Sequence, residues 1–139
     1  MSTVGKGTRT SHVFYAAILL ASLLLVSCQS KTDEAKVDAA SLRGGETRET
    51  LSPAYFTGKA ARAYQIAKEI PDVLDSIYCY CDCKPNFGHK SLLTCYVDQH
   101  AMHCDVCMNE ALMAYDMYKQ GMDVVEIRAE IDRRFARKR

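Results

Sequence analysis

The stretch CYCDCKPNFGHKSLLTCYVDQHAMHCDVC, residues 79–107, holds six of the chain's seven cysteines and three of its four histidines. Its first third is the run Cys79-x-Cys81-x-Cys83, and its last third ends in Cys104-x-x-Cys107. Between them lie the turn-forming Lys84-Pro85-Asn86 and Gly88, so residues 78–91 are expected to be irregular. From about Asp98 the spacing turns helical. A long helix is expected through His100, Cys104, Cys107, Leu112 and Tyr115 to Gln120, with Gly121 as its C-terminal cap.

Outward from that stretch every regular segment reads as helix. Ala60, Ala63, Tyr64, Ala67 and Ile70 recur at helical spacing between Thr57 and Ile70, with Lys59, Arg62, Lys68 and Glu69 on other faces. Pro71 cannot continue that helix and instead opens a short second one carrying Val73, Leu74 and Ile77. Asp123 with Glu126 three residues on has the form of a capping box and starts a last helix with the stripe Val124, Ile127, Ile131 and Phe135. No strand-like alternation of useful length stands outside the Cys run. The expected fold class is all-α, a small domain of three to four helices with an irregular Cys-rich segment.

The N-terminus reads as an address. Lys6, Arg9 and His12 precede the apolar run Val13 to Val26, which is short of the roughly 20 residues a membrane-spanning helix needs. The run stops at Leu25-Val26-Ser27-Cys28 and turns polar at once, the form of a lipoprotein signal whose cysteine becomes the lipidated N-terminus. Residues 1–27 are therefore expected to be a signal peptide and Cys28 a lipid anchor, placing the protein outside the cytoplasm on a cell-envelope membrane. Residues 28–52, rich in Ser, Thr, Gly, Lys and Glu, carry few large apolar side chains and are expected to form a flexible linker. This leaves residues 53–136 as the Cys/His-rich helical domain and 137–139 as a basic tail. A domain of this size often needs metal or disulfide support for its core. The net charge of +1 argues against a nucleic-acid binder held by phosphate neutralisation.

The thiols admit three readings. On a continuous helix His100, His103, Cys104 and Cys107 share one narrow face, and any neighbouring pair could grip one ion. In extended conformation Cys79, Cys81 and Cys83 would share a face opposite Tyr78, Tyr80 and Asp82 and could dock against that stripe. With His89 and Cys95 this makes nine candidate metal ligands. A sulfur-heavy site outside the cytoplasm suits Cu(I) or Zn(II). The spacing is not that of a zinc ribbon, Met108 rather than His follows Cys107 so haem attachment is absent, and neither common ferredoxin spacing is present, which disfavours an iron-sulfur cluster. Met102 and Met108 are candidate soft additions, although Met102, Val106, Met113 and Met117 form a stripe that reads as core.

The second reading is thiol-disulfide exchange through Cys104 and Cys107 together with the Cys79-x-Cys81-x-Cys83 run, the pKa of the helical pair lowered by the helix N-terminus and by His100 and His103. No thioredoxin-like βαβ pattern surrounds them, so binding is favoured over catalysis. The third is a disulfide-stapled interaction module. Against it, a C-x-C pair in extended backbone approaches the upper limit of disulfide Cα separation, and three histidines have no purpose in a staple.

With these residues in view, the chain resembles the exported bacterial family named for its PCYCGC motif. The resemblance rests on Tyr78-Cys79-Tyr80-Cys81-Asp82-Cys83, Gly88-His89-Lys90-Ser91, Cys95, His100, Cys104-x-x-Cys107 and Ile127-Arg128-x-x-Ile131-Asp132, and spans most of Pro53 to Phe135. Tyr78 replaces the motif's proline and Asp82 its glycine. Selenoproteins occur in that family, with the selenium inside the motif, so the resemblance implies a reactive or metal-binding chalcogen. The expected function is an anchored metal-binding protein, a carrier, buffer or assembly factor that serves a metal-receiving or redox partner.

Overall fold

The computed structural model describes residues 37–136. The segment expected to be a signal peptide, Cys28 and the tail at 137–139 lie outside the described residues. Within them are five α-helices, joined by 3-10 turns and without strands: α1 (Gly58–Glu69), α2 (Pro71–Asp75), α3 (Cys83–Phe87), α4 (Asp105–Lys119) and α5 (Val124–Phe135). None of these is long and apolar enough to cross a membrane.

Three helix termini fall where local chemistry says they should. Ile70 leaves helical geometry (φ −130°, ψ 54°) ahead of Pro71, which takes the first position of α2. The α5 capping box is complete, Asp123 accepting from the Glu126 N–H and Glu126 from the Asp123 N–H. Helix α1 packs on α4, and α4 on α5. Between them Tyr64, Ile66, Leu74, Ile77, Leu92, Tyr96, Ile127 and Ile131 are fully buried. Tyr64 stacks on Phe56 with ring centroids 3.9 Å apart and meets Tyr96 edge-on at 5.1 Å, and its hydroxyl donates to the Asp98 carbonyl at 2.6 Å.

Two expectations fail here, and both failures shape the site. The expected continuous helix from Asp98 is broken. His100–His103 is one 3-10 turn, Cys104 is extended (φ −128°, ψ 104°), and α4 starts only at Asp105. The Asp98 carboxylate accepts from the His100 N–H at 2.7 Å and fixes the turn before the break. The single face of His100, His103, Cys104 and Cys107 therefore does not exist.

The expectation of a flexible linker up to Ser52 fails over its second half: residues 43–51 are strapped across the domain. The carboxylate of Asp75, wholly buried, accepts from Arg43 Nε (2.9 Å), the N–H groups of Gly45 (3.0 Å) and Glu46 (3.1 Å), and Ser91 Oγ (2.7 Å). Burial raises its pKa, but these bonds outweigh burial and the net shift is downward. Glu46, also buried, accepts from Arg48 through both oxygens and from Thr94 Oγ1 at 2.9 Å. Leu51 N–H closes the strap on the Tyr96 carbonyl at 2.9 Å. Gly44 runs so close to the chain beneath that a Cβ there would lie 2.7 Å from Ser91 Cβ and 2.8 Å from the Lys90 carbonyl oxygen.

Candidate metal centre

The Cys79–Cys83 run is a turn rather than an extended strip. Asp82 adopts left-handed backbone (φ 63°, ψ 25°), the only residue other than glycine to do so among those described. A side chain in this region is costly for most residue types and least so for Gly, Asn and Asp. The glycine of the PCYCGC motif thus has a conformational reason, and Asp82 meets the same demand. The turn brings the Cys81 and Cys83 Cα atoms to 5.5 Å, and the two sulfurs are joined in a disulfide. The extended-backbone argument against such a bridge does not apply to a turn.

Around this turn the thiols converge. Cys79 Sγ lies 3.2 Å from Cys81 Sγ and 3.4 Å from both Cys107 Sγ and Cys95 Sγ, and Cys81 Sγ is 3.4 Å from Cys107 Sγ. Cys79, Cys81, Cys83, Cys95 and Cys107 form one group whose ligand atoms all lie within 4.8 Å of one another. Cys83, His89, Cys95 and His100 form a second group under the same limit. His100 Nε2 is 2.9 Å from Cys83 Sγ and His89 Nδ1 3.2 Å from Cys95 Sγ. Seven of the nine expected ligands are therefore brought together. His103, exposed, and Cys104, half-buried, belong to neither group. The break at Cys104 explains this division, because it lets His100 face Cys83 while Cys107, in the first turn of α4, faces Cys79. Of the methionines, Met108 and Met117 are core residues and Met102 packs against the core.

The second layer was not expected from sequence. Glu110, fully buried on α4, accepts the Tyr80 N–H through Oε1 at 2.9 Å, and its Oε2 has no hydrogen-bond partner. Burial, and then the neighbouring Cys79, push its carboxyl up to about 9. The signal was only a Glu one helical turn after Cys107, which also fits a solvated face. Tyr96 Oη donates to the Cys107 carbonyl at 2.7 Å, tying the start of α4 to the core. Tyr80 Oη donates to Asp132 at 2.7 Å, and Arg128 grips both Asp132 oxygens at 3.0 Å and donates to the Ser76 carbonyl at 2.6 Å. Helix α5 thereby clamps the turn from outside, with Ile127 and Ile131 buried beneath.

Within the cluster the thiolate is favoured at one sulfur. The thiols of Cys107 and Cys95 point at Cys79 and hold its pKa far below that of a free thiol, while Cys107, giving its proton to that contact, is raised. The low-pKa thiol is Cys79, whereas Cys107, expected to be lowered by the helix N-terminus, is raised. Burial, with His100 next, pulls His89 below the ordinary histidine value and keeps the imidazole neutral, the form that binds metals. Closely packed thiols with imidazoles beside them can take up a cation in exchange for protons.

A family model for proteins of unknown function with a PCYCGC motif matches residues 17–138. The chain belongs to the PCYCGC family. The motif is the turn at Cys79–Cys83, and the closing Ile-Arg-x-x-Ile-Asp stretch of this member is the clamp on α5. No curated protein and no solved structure matches the chain.

Proposed function

We propose that this PCYCGC protein is an exported lipoprotein that binds a soft or borderline metal, Cu(I) or Zn(II), through the Cys79–Cys107 cluster and serves as carrier, buffer or assembly factor on a membrane surface. The observation that carries the reading is the convergence of five cysteine sulfurs, two of them paired in the Cys81–Cys83 disulfide, and two imidazoles in two overlapping groups, which on reduction of that bridge matches the ligand chemistry of those ions. Lipidation at Cys28 supplies the anchor. Protein purified anaerobically without chelator should carry near-stoichiometric metal, with its thiols protected from alkylation until the metal is removed. Metal-free protein with three intact disulfides would sink the proposal. Cys28→Ser should release the protein from the membrane fraction, and retention there would contradict the anchor.

A second reading has its own observation. The Cys81–Cys83 disulfide lies beside Cys79, whose sulfur is 3.2 Å from Cys81 and whose thiolate is favoured. Attack of Cys79 on Cys81 Sγ would form a Cys79–Cys81 bridge and release Cys83 as thiolate, the elementary step of a thiol-disulfide exchange protein. It predicts that the freed Cys83 thiolate attacks a partner disulfide, giving a mixed disulfide at Cys83 that acid quenching traps and that Cys83→Ser abolishes. Its absence, together with an unreactive Cys79, would count against this role.

A further inference from the structure

Deepening the metal-binding reading and resting on it, we propose that the reduced chain holds two divalent ions bridged by the thiolates of Cys83 and Cys95. Cys79 and Cys107 complete the inner ion and His89 and His100 the outer one. The two ligand groups are not separate sites, since they share Cys83 and Cys95. The second group supplies four donors, the number one tetrahedral ion requires. The first group supplies five, of which Cys81 is the least enclosed and is left over. Two tetrahedra sharing the Cys83–Cys95 edge use every remaining donor once, apart from the two bridges.

Distances and charge agree with this count. A Zn–S bond of about 2.3 Å implies about 3.8 Å between sulfurs of one tetrahedron. The present 3.4 Å contacts of Cys79 with Cys95 and Cys107 would have to open by less than half an ångström. Four thiolates with two divalent ions are neutral, which a buried site beside the Glu110 carboxyl requires. Two monovalent ions would leave two negative charges there. The outer ion is also the exchangeable one: Cys79, Cys95 and Cys107 are buried, whereas His100 is half-buried and the exposed ring of Phe87 lies 5.0 Å from it.

Assembly requires the Cys81–Cys83 bridge to be reduced. A dithiol reductant supplies two electrons and two protons, forming its own cyclic disulfide and freeing both cysteines as thiols. Each thiol that then enters coordination loses its proton to solvent.

The test is titration of the full chain, reduced with dithiothreitol and handled anaerobically, with Zn(II) read by native mass spectrometry and with Co(II) read by absorption and magnetic moment. The expected result is two Zn(II) per chain, two in Cys81→Ser, and one in His89→Ala/His100→Ala. Two bound Co(II) ions should show the lowered moment of thiolate-bridged neighbours. One Zn(II) in the wild type, two in the histidine double variant, or two magnetically independent Co(II) ions would overturn the bridged pair while leaving metal binding intact. No bound metal would overturn both readings. Should the double variant not fold, single His100→Ala, at a half-buried position, should weaken binding of the second Zn(II) at least tenfold and leave the first unchanged, and affinity for both ions equal to wild type would overturn the outer site.

Discussion

Replacing Asp75 by alanine should cost this domain a large part of its stability, because one buried carboxylate holds the 43–51 strap. Both oxygens are used twice: Oδ1 accepts from Glu46 N–H and Ser91 Oγ, Oδ2 from Arg43 Nε and Gly45 N–H. The alanine variant leaves two backbone donors and a hydroxyl without acceptors and removes the buried partner of an arginine. Arg43, 39% exposed, can turn to water once its partner is gone, so the loss rests on the Glu46 N–H and the Ser91 hydroxyl, at about 1–3 kcal/mol for each buried donor left unpaired, against a total of about 5–15 kcal/mol for an ordinary domain. Asparagine keeps the shape, but in either orientation its NH2 faces two donors, so about half of that loss should remain. Urea denaturation followed by circular dichroism at fixed metal load measures both variants, and hydrogen exchange should show Gly45 and Glu46 losing protection. The sign with pH follows from the depressed pKa values of Asp75 and Glu46. Their contribution is complete above the unfolded carboxylate value of about 4 and is lost as pH falls through the lower folded values. Wild-type stability should fall in acid, and Asp75→Asn should flatten that fall. An alanine variant within about 1 kcal/mol of wild type, below even one buried unsatisfied donor, would refute the docked strap.

Gly44→Ala should destabilise by about 1–3 kcal/mol, the usual cost of overpacking, because its Cβ meets the Lys90 carbonyl and Ser91 Cβ rather than a movable side-chain end; a neutral result in the same denaturation assay would contradict that close approach. Asp82→Val should cost about 1–2 kcal/mol for forcing a β-branched residue into left-handed backbone, whereas Asp82→Gly restores the motif residue and should fold; equal midpoints for Val and Gly would argue against the turn at φ 63°. Glu110→Leu should cost about 1–3 kcal/mol by leaving the Tyr80 N–H without its acceptor, and Glu110→Gln, which keeps an acceptor and is neutral like the protonated carboxyl, should cost markedly less; the reverse order would contradict the assigned bond.

The parts of this fold that sequence makes legible are those set by short-range chemistry. Helix α1 follows from its own apolar spacing, its end from Pro71, and the start of α5 from Asp123 and Glu126 three residues apart. The strap is not legible, since its composition is that of a solvated linker and its partner, Asp75, lies about thirty residues away. The break at Cys104 carries neither proline nor glycine, and a 3-10 turn running into an α-helix has nearly the same spacing of apolar residues as one continuous helix. The convergence of the thiols was readable as an inventory but not as a geometry: a left-handed residue at 82 and the break at 104 decide which sulfurs meet and leave His103 and Cys104 outside. Glu110 carried only its place one helical turn after Cys107, and burial alone distinguishes it from an exposed helical glutamate.

The central claim, that the Cys79–Cys107 cluster is a sulfur-rich metal site, is tested most directly by X-ray absorption at the metal edge of protein isolated anaerobically without chelator. The account predicts a first shell dominated by sulfur, at about 2.3 Å if the metal is zinc, with a smaller imidazole contribution that disappears in His89→Ala/His100→Ala. A shell of oxygen and nitrogen alone, or the absence of any metal edge, would contradict it.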